Sequence, residues 1–316
     1  MQLAAAVLVH HGLFRHIVGF QEGIPKEFIV FSKLRYPIHS WLLADLATID
    51  RRVSTFRSVF SWWFCLYGIS GVRRLCDLWP AMQTMASVYA AVGGDLELMC
   101  VLNPDPYNKR TISICLADLA ARHGHIQILR HLLDKGHMCS CRALDWAATN
   151  GHIEVVHFLH ELYPQEGGAS TDAMDGAATN GHLDIVHFLH DNRQEGCTVA
   201  ALNLAARHGH FQVVEFLHFH RQEGGTTAAM DSAAKYGHLD IVKFLHAHRN
   251  EGCTTKAMDG AIINGHTQVV QFLHEYRTEG CTRDALDRLV RDNLFYYLHL
   301  PVVQFLLAHG YNLKHV

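Results

Sequence analysis

The sequence predicts an all-α solenoid of stacked helix–turn–helix repeats, preceded by a helical N-terminal cap region. Three observations predict it. A Gly-His step recurs at Gly124, Gly151, Gly181, Gly209, Gly237 and Gly265, at spacings of 27, 30, 28, 28 and 28 residues. The flanking text keeps register: AATNGHLDIVHFLH begins at Ala177, AARHGHFQVVEFLH at Ala205 and AAKYGHLDIVKFLH at Ala233. Each unit also reads as two helices, with no residues left over for a pair of strands. A fixed period of this size marks a solenoid, because such a unit can bury its apolar face only against its neighbours. Two degenerate copies bring the series to about eight repeats. AAVGGDLELMCVL carries Gly94 and Asp95 in the Gly-His slots, and HLPVVQFLLAHG carries Leu298 and His299 there.

Residues 1–80 show no repeat and are rich in large apolar groups, among them Trp41, Trp62, Trp63 and Trp79. The boundary is placed at Pro80, since a proline ends the helix before it. That gives a helical N-terminal region over 1–80 and a repeat solenoid over 81–316. The opening MQLAAAVLVHHGLFRH has no basic start and no clear cleavage site, so it is not read as a signal peptide. Ser58 to Val72 is uncharged between Arg57 and Arg73, but its 15 residues fall short of the roughly 20 a membrane span needs. It is read as a buried helix.

The repeat elements follow in order from Thr198. In TVAALNLAARHG, Ala201, Leu202, Ala205 and Ala206 stand at helical spacing and make a narrow apolar face. The alanine pair lets the next repeat approach closely. Gly209 falls where a helix ends in a left-handed turn, so it and Gly181 are expected at positive φ. A second helix then offers Phe211, Val213, Val214, Phe216 and Leu217, and stops at a polar RQEG loop.

Composition bounds the function. With 49% hydrophobic and 18% charged residues the chain is no disordered polymer. A net charge of -3 argues against nucleic acid held by phosphate neutralisation, and gives no reason to invoke a membrane. The nine cysteines form no disulfide pattern. Cys197, Cys253 and Cys281 share one repeat slot with Gly168 and Gly225, so the slot wants a small residue. Equivalent slots in stacked helices lie roughly 10 Å apart, beyond the disulfide limit of about 7 Å. Reduced thiols and an intracellular home, cytoplasmic or nuclear, are expected.

The string A-A-x-x-G-H-L-D-I-V-x-F-L resembles the ankyrin repeat, whose consensus reads T-P-L-H-x-A-A-x-x-G-H-x-x-V-V-x-x-L-L. The resemblance covers about three quarters of the chain. It is nearest to the short-repeat ankyrin proteins of oomycetes and some giant viruses, on the strength of Thr171 to His182 and the linker Glu251 to Thr254. The usual period is 33 residues. The shorter one here implies that the β-hairpin finger of each repeat is missing, and Asp172 to Asp175 replace the T-P-L-H opening. The last repeat restores a spacing of 33 between Gly265 and Leu298, with its extra residues around Arg291 to Tyr297.

What varies while the frame holds is informative. Between A-A and G-H stand Arg122-His123, Thr149-Asn150, Thr179-Asn180, Arg207-His208, Lys235-Tyr236 and Ile263-Asn264. The resemblance implies that this pair lies on a concave helical face and contacts partners. Arg207, His208, Lys235 and Tyr236 unite two fixed positive charges with an aromatic ring and an imidazole, a mix that suits an acidic protein surface. The residue before A-A also varies (Leu119, Trp146, Gly176, Leu204, Ser232, Gly260), and is weighed as a position pointing into the stack.

Other chemistry is weighed against the scaffold. His125, His152, His182, His210, His238 and His266 form one ladder, and His160, His190, His218, His246 and His274 another. Zinc needs ligands converging within about 2 Å of one point, whereas a ladder spreads them one per repeat. Within a unit, His182 and His190 are separated by about 12 Å of helical rise. Cys139-Ser-Cys141 has no second thiol pair. An acidic ladder of Asp118, Asp145, Asp175, Asp231, Asp259 and Asp287, with Asn203 in the remaining slot, recurs in every unit. Recurrence marks a stacking role, with backbone amides or histidines as the expected partners. No nucleophile elbow, phosphate loop or dinucleotide fingerprint occurs. The reading is therefore a monomeric, non-enzymatic protein-binding scaffold with no metal or cofactor. One alternative remains. LVHHGLFRHIVGFQEG faintly resembles an F-box through Leu13, Phe14, Ile17, Val18 and Phe20, though Val9 and His10 replace its Leu-Pro opening. That would imply a ubiquitin-ligase substrate receptor.

Overall fold

The computed structural model describes residues 26–33, 46–106, 115–164, 168–292 and 301–311. Among the described residues a 3-10 helix, Lys26–Lys33, comes first, then α1 over Leu46–Leu78. Eight helix pairs follow among the described residues. They are α2 and α3 (Pro80–Gly93, Leu96–Leu102), α4 and α5 (Leu116–Arg122, Ile126–Asp134), and α6 and α7 (Arg142–Thr149, Ile153–Leu162). Next come α8 and α9 (Thr171–Thr179, Leu183–Asn192), α10 and α11 (Val199–His208, Phe211–His220), and α12 and α13 (Thr227–Tyr236, Leu239–His248). The last are α14 and α15 (Thr255–Ile263, Thr267–Tyr276) and α16 and α17 (Arg283–Asp292, Pro301–Ala308). No strand occurs among the described residues, including the loop from Glu195 to Thr198. The chain is an all-α repeat solenoid.

Two compact units divide the chain, Met1–Ser140 and Cys141–Val316. The change of sequence character at Pro80 lies inside the first. There, Pro80 is the first residue of α2, with Trp79 as its N-cap, as proline's fixed φ and missing amide favour. In the same unit α1 is two-faced. Phe56, Phe60 and Trp63 are fully buried with Phe28 and Phe31. Phe31 meets Trp63 edge-on at 5.0 Å, and Phe56 stacks on Phe60 at 4.7 Å. Trp63 Nε1 donates to the Glu27 carbonyl at 2.8 Å, satisfying the one polar atom of the cluster. Yet Trp62 and Leu66 lie exposed, and Gly68 breaks the helical path at φ 56°, ψ −159°. Ser58 to Val72 is thus buried on one side only. No described helix is long and apolar enough to cross a membrane.

The second unit shows why each repeat folds as it does. Thr198, Thr226 and Thr254 are N-caps whose hydroxyls accept from the backbone amide two residues on, at 3.0, 3.2 and 3.2 Å. The alanine pairs Ala177-Ala178, Ala205-Ala206 and Ala233-Ala234 are fully buried, where the first helices of neighbouring repeats pack on one another. Gly181, Gly209 and Gly237 then take φ of 77°, 81° and 83°. The second helix buries its β-branched pair and a leucine, as in Ile185, Val186 and Leu189.

The acidic ladder joins each repeat to the next. Asp175 Oδ1 accepts the Thr198 amide at 2.8 Å, and its Oδ2 accepts the Thr198 hydroxyl at 2.6 Å. Asp231 holds Thr254 and Asp259 holds Thr282 in the same way, and Asp145 holds Ser170. In the first unit Asp118 holds Ser140. In the second unit Ser170, Thr198 and Thr254 are themselves the N-caps of the helices that open the following repeats. Burial raises the Asp145 carboxyl above its ordinary value, against the lowering effect of its two Ser170 hydrogen bonds.

Both histidine ladders are packing devices. His238 lies against Gly209, and its Nε2 stands 3.1 Å from the Arg207 carbonyl. A carbonyl only accepts, so Nε2 carries a proton and donates it there. His125 makes the same contact with the Val92 carbonyl at 3.0 Å. The second ladder sets each histidine edge-on to the phenylalanine of the next repeat: His190 to Phe216 and His218 to Phe244, both at 5.4 Å. There Arg249 donates to His218 Nδ1 at 3.3 Å, which only a neutral ring can accept.

Burial, then the neighbouring His208, lowers the His210 pKa from its ordinary 6.5. Burial, then Arg249, lowers that of His218. Their folded-state pKa values lie below the unfolded ones, so below about pH 6.5 the unfolded chain binds more protons. The stability they contribute is complete above that value and is lost as pH falls through it. The melting temperature should therefore drop between about pH 7 and about pH 5.5, above the ordinary carboxylate range. A flat or rising melting curve over that interval would contradict this account.

Candidate protein-binding surface

The two residues after each alanine pair sit at the end of the first helix. One helical residue turns the chain by about 100°, so with the alanines facing inward the next residues swing outward. The structure separates the predicted positions into three groups. Arg207, His208, Lys235 and Tyr236 are exposed. Asn150, Asn180 and Asn264 are exposed too, but each amide caps its own helix, donating to the carbonyls of Trp146 (2.7 Å), Gly176 (3.1 Å) and Gly260 (2.8 Å). The half-buried Thr149 and Thr179 turn their hydroxyls back to the carbonyls of Asp145 and Asp175, and Ile263 is half-buried. Arg122 is held by Asp50, and half-buried His123 stacks on His125 at 6.3 Å.

The exposed four form a continuous group across two repeats. Arg207 Nη2 donates to the Tyr236 hydroxyl at 3.1 Å, and its guanidinium lies 5.4 Å from the ring centre. Lys235 Nζ lies 5.5 Å from the same ring. Neither cation has a carboxylate partner among the described residues. The neighbouring cations differ. Arg193, Arg221, Arg249 and Arg277 each clasp the glutamate two residues on. Burial raises the Glu223 carboxyl, but the Arg221 guanidinium overrides it and holds it at about 2. The R-x-E spacing recurs visibly in the sequence; read only as a polar loop, its pairing is lost. Each arginine also packs against the loop glycine of the preceding repeat, Arg221 on Gly196 and Arg249 on Gly224.

At two of the positions before an alanine pair the glycine faces the preceding repeat. A side chain at Gly260 would meet Lys235 Cβ at 2.7 Å, and one at Gly176 would collide with Thr149. The cysteine slot is structural as well. Cys197 and Cys253 are buried, and burial, then the facing glutamate, pushes their thiols up to about 11. They are inert thiols rather than nucleophiles. The F-box-like segment lies outside the described residues, as do Leu298 and His299 of the last repeat.

Residues 174–259 and 202–284 match a sequence model of ankyrin repeats in three copies, and residues 117–160 match one of ankyrin repeats in many copies. A comparison with curated proteins finds no match. Among solved structures, the crystal structure of the human ASB11 ankyrin repeat domain is similar at 19% identity and a TM-score of 0.47. It covers 61% of this chain and 97% of its own.

Proposed function

We propose that this chain, which carries ankyrin repeats, is a non-enzymatic, intracellular and monomeric scaffold that binds another protein on the face carrying Arg207, His208, Lys235 and Tyr236. The carrying observation is the pair of unneutralised cations about one exposed tyrosine, on a framework where other arginines are clasped by glutamate. Tyrosine and arginine dominate interface energies out of proportion to their number. Two fixed charges with no counter-ion among the described residues favour an acidic partner surface and speed its approach. The helical face takes this role because no finger strand occurs among the described residues. Their 28-residue spacing supports a place among the short-repeat ankyrin proteins of the oomycete and giant-virus type.

The test is affinity capture with the full chain, read by mass spectrometry, beside an Arg207→Ala, Tyr236→Ala double variant. Capture should weaken at least tenfold, about 1.4 kcal/mol, with the melting temperature unchanged because both side chains are solvent-facing. Equal capture by the variant would remove the proposal.

A further inference from the structure

The chain contains the same hexapeptide twice. Ala-Ala-Arg-His-Gly-His runs from Ala120 to His125 in one compact unit and from Ala205 to His210 in the other. The two copies fold alike. Their glycines take φ of 75° and 81°. Their histidine rings stack at 6.3 Å and 15° in the first and at 6.2 Å and 14° in the second. They differ in what the arginine holds. Both terminal nitrogens of Arg122 donate to the carboxylate of Asp50, each at 2.9 Å, and Asp50 is presented by helix α1. This two-pronged grip is the geometry in which guanidinium recognises carboxylate best. Arg207 stands in the same slot on the same local frame. Among the described residues its side chain donates to the hydroxyl of Tyr236 alone, with Lys235 close by on that ring.

We infer that Arg207 is the receiving site for an aspartate or glutamate side chain presented by a helix of the partner protein, gripped through two guanidinium nitrogens as Arg122 grips Asp50 through its two terminal ones. Lys235 supplies a second cation for another carboxylate one turn along that helix, since residues four apart share a helix face. The tyrosine ring between them orients both cations. This inference rests on the proposed binding face and adds the chemistry it reads.

The probe is a soluble alanine–glutamine helical peptide with two aspartates four residues apart, beside the same peptide with asparagines. Full-length chain labelled with nitrogen-15 reports the Arg207 Nε–Hε resonance, and fluorescence anisotropy of the peptide gives the affinity. The aspartate peptide should shift the Arg207 resonance saturably. Affinity should fall at least tenfold with the asparagine peptide, and at least tenfold in Arg207→Lys, which keeps the charge but loses the fork. No shift at Arg207, an Arg122 resonance that moves alone, or equal affinity in Arg207→Lys would each overturn it. So would inorganic phosphate moving Arg207 as the peptide does, since that marks an unselective anion site. A silent peptide alongside lost capture by the Arg207→Ala, Tyr236→Ala variant removes the carboxylate inference and leaves the binding face. Peptide binding with undiminished capture does the reverse.

Discussion

Replacing Gly209 with valine is expected to destabilise the chain by about 2–5 kcal/mol, from two separable causes. The backbone there has φ 81°, where a residue with a Cβ is strained by about 1–2 kcal/mol. The second cause comes from the next repeat. A Cβ at this position would sit 2.5 Å from His238 Cε1 and 2.7 Å from its Nδ1. His238 cannot retreat freely, because its Nε2 is tied to the Arg207 carbonyl. Overpacking of this kind costs about 1–3 kcal/mol. The two parts separate in a double-mutant cycle. Gly209→Ala should cost both parts in the native background, and only the backbone part beside His238→Ala. Thermal or urea unfolding reads the difference. An equal cost in both backgrounds would show that the histidine does not occupy the glycine's space. The same pairing recurs for Gly151 with His182 and for Gly237 with His266.

That contact explains why Gly and His travel together, and it marks a limit of sequence reading. The period, the alanine pairs and the positive φ of Gly181 and Gly209 were legible, because each follows from local geometry and one-dimensional register. The absence of strands among the described residues was legible from the length of the unit. The amide partners of the acidic ladder were legible in kind, since a carboxylate recurring in a half-buried slot must be satisfied. What the histidines touch was not, because the contact runs from one repeat to the next, as from Gly209 to His238, and leaves no local signal. The R-x-E clasps at Arg193, Arg221, Arg249 and Arg277 had a signal in their fixed spacing, although two residues apart is no helical or strand rule. The two-sided nature of α1 was hidden for another reason. Ser58 to Val72 carries no charge to mark a solvent face, so its pattern does not say that Trp63 turns inward and Trp62 outward. Among the predicted contact positions, the sequence could not separate asparagines that cap their own helices from residues free to meet a partner. It also could not foresee that Asp50 occupies Arg122, since the two lie 72 residues apart.

Asp231→Ala should cost about 1.5–3 kcal/mol, the range for hydrogen bonds to a charged group whose partner is left behind. The aspartate accepts two donors from Thr254, the amide at 2.7 Å and the hydroxyl at 2.8 Å, and Thr254 caps helix α14. Alanine strands both donors and loosens the cap of the following repeat. The chain itself contains the control. In the equivalent slot Asn203 accepts the Thr226 amide through Oδ1 at 3.0 Å and donates from Nδ2 to the Thr226 hydroxyl, also at 3.0 Å. The hydroxyl changes from donor to acceptor and still takes the Ala228 amide. An asparagine in place of Asp231 would be geometrically competent, so Asp231→Asn should lose only the charge assistance, about 1 kcal/mol. The converse change, Asn203→Asp, should be neutral or stabilising at pH 7. Amide hydrogen exchange at Thr254 gives a local reading beside the melting curve. Protection should fall sharply in Asp231→Ala and only slightly in Asp231→Asn. If the asparagine variant proves as unstable as the alanine one, the ladder works through its charge, and the hydrogen-bond geometry shared by Asp231 and Asn203 is incidental.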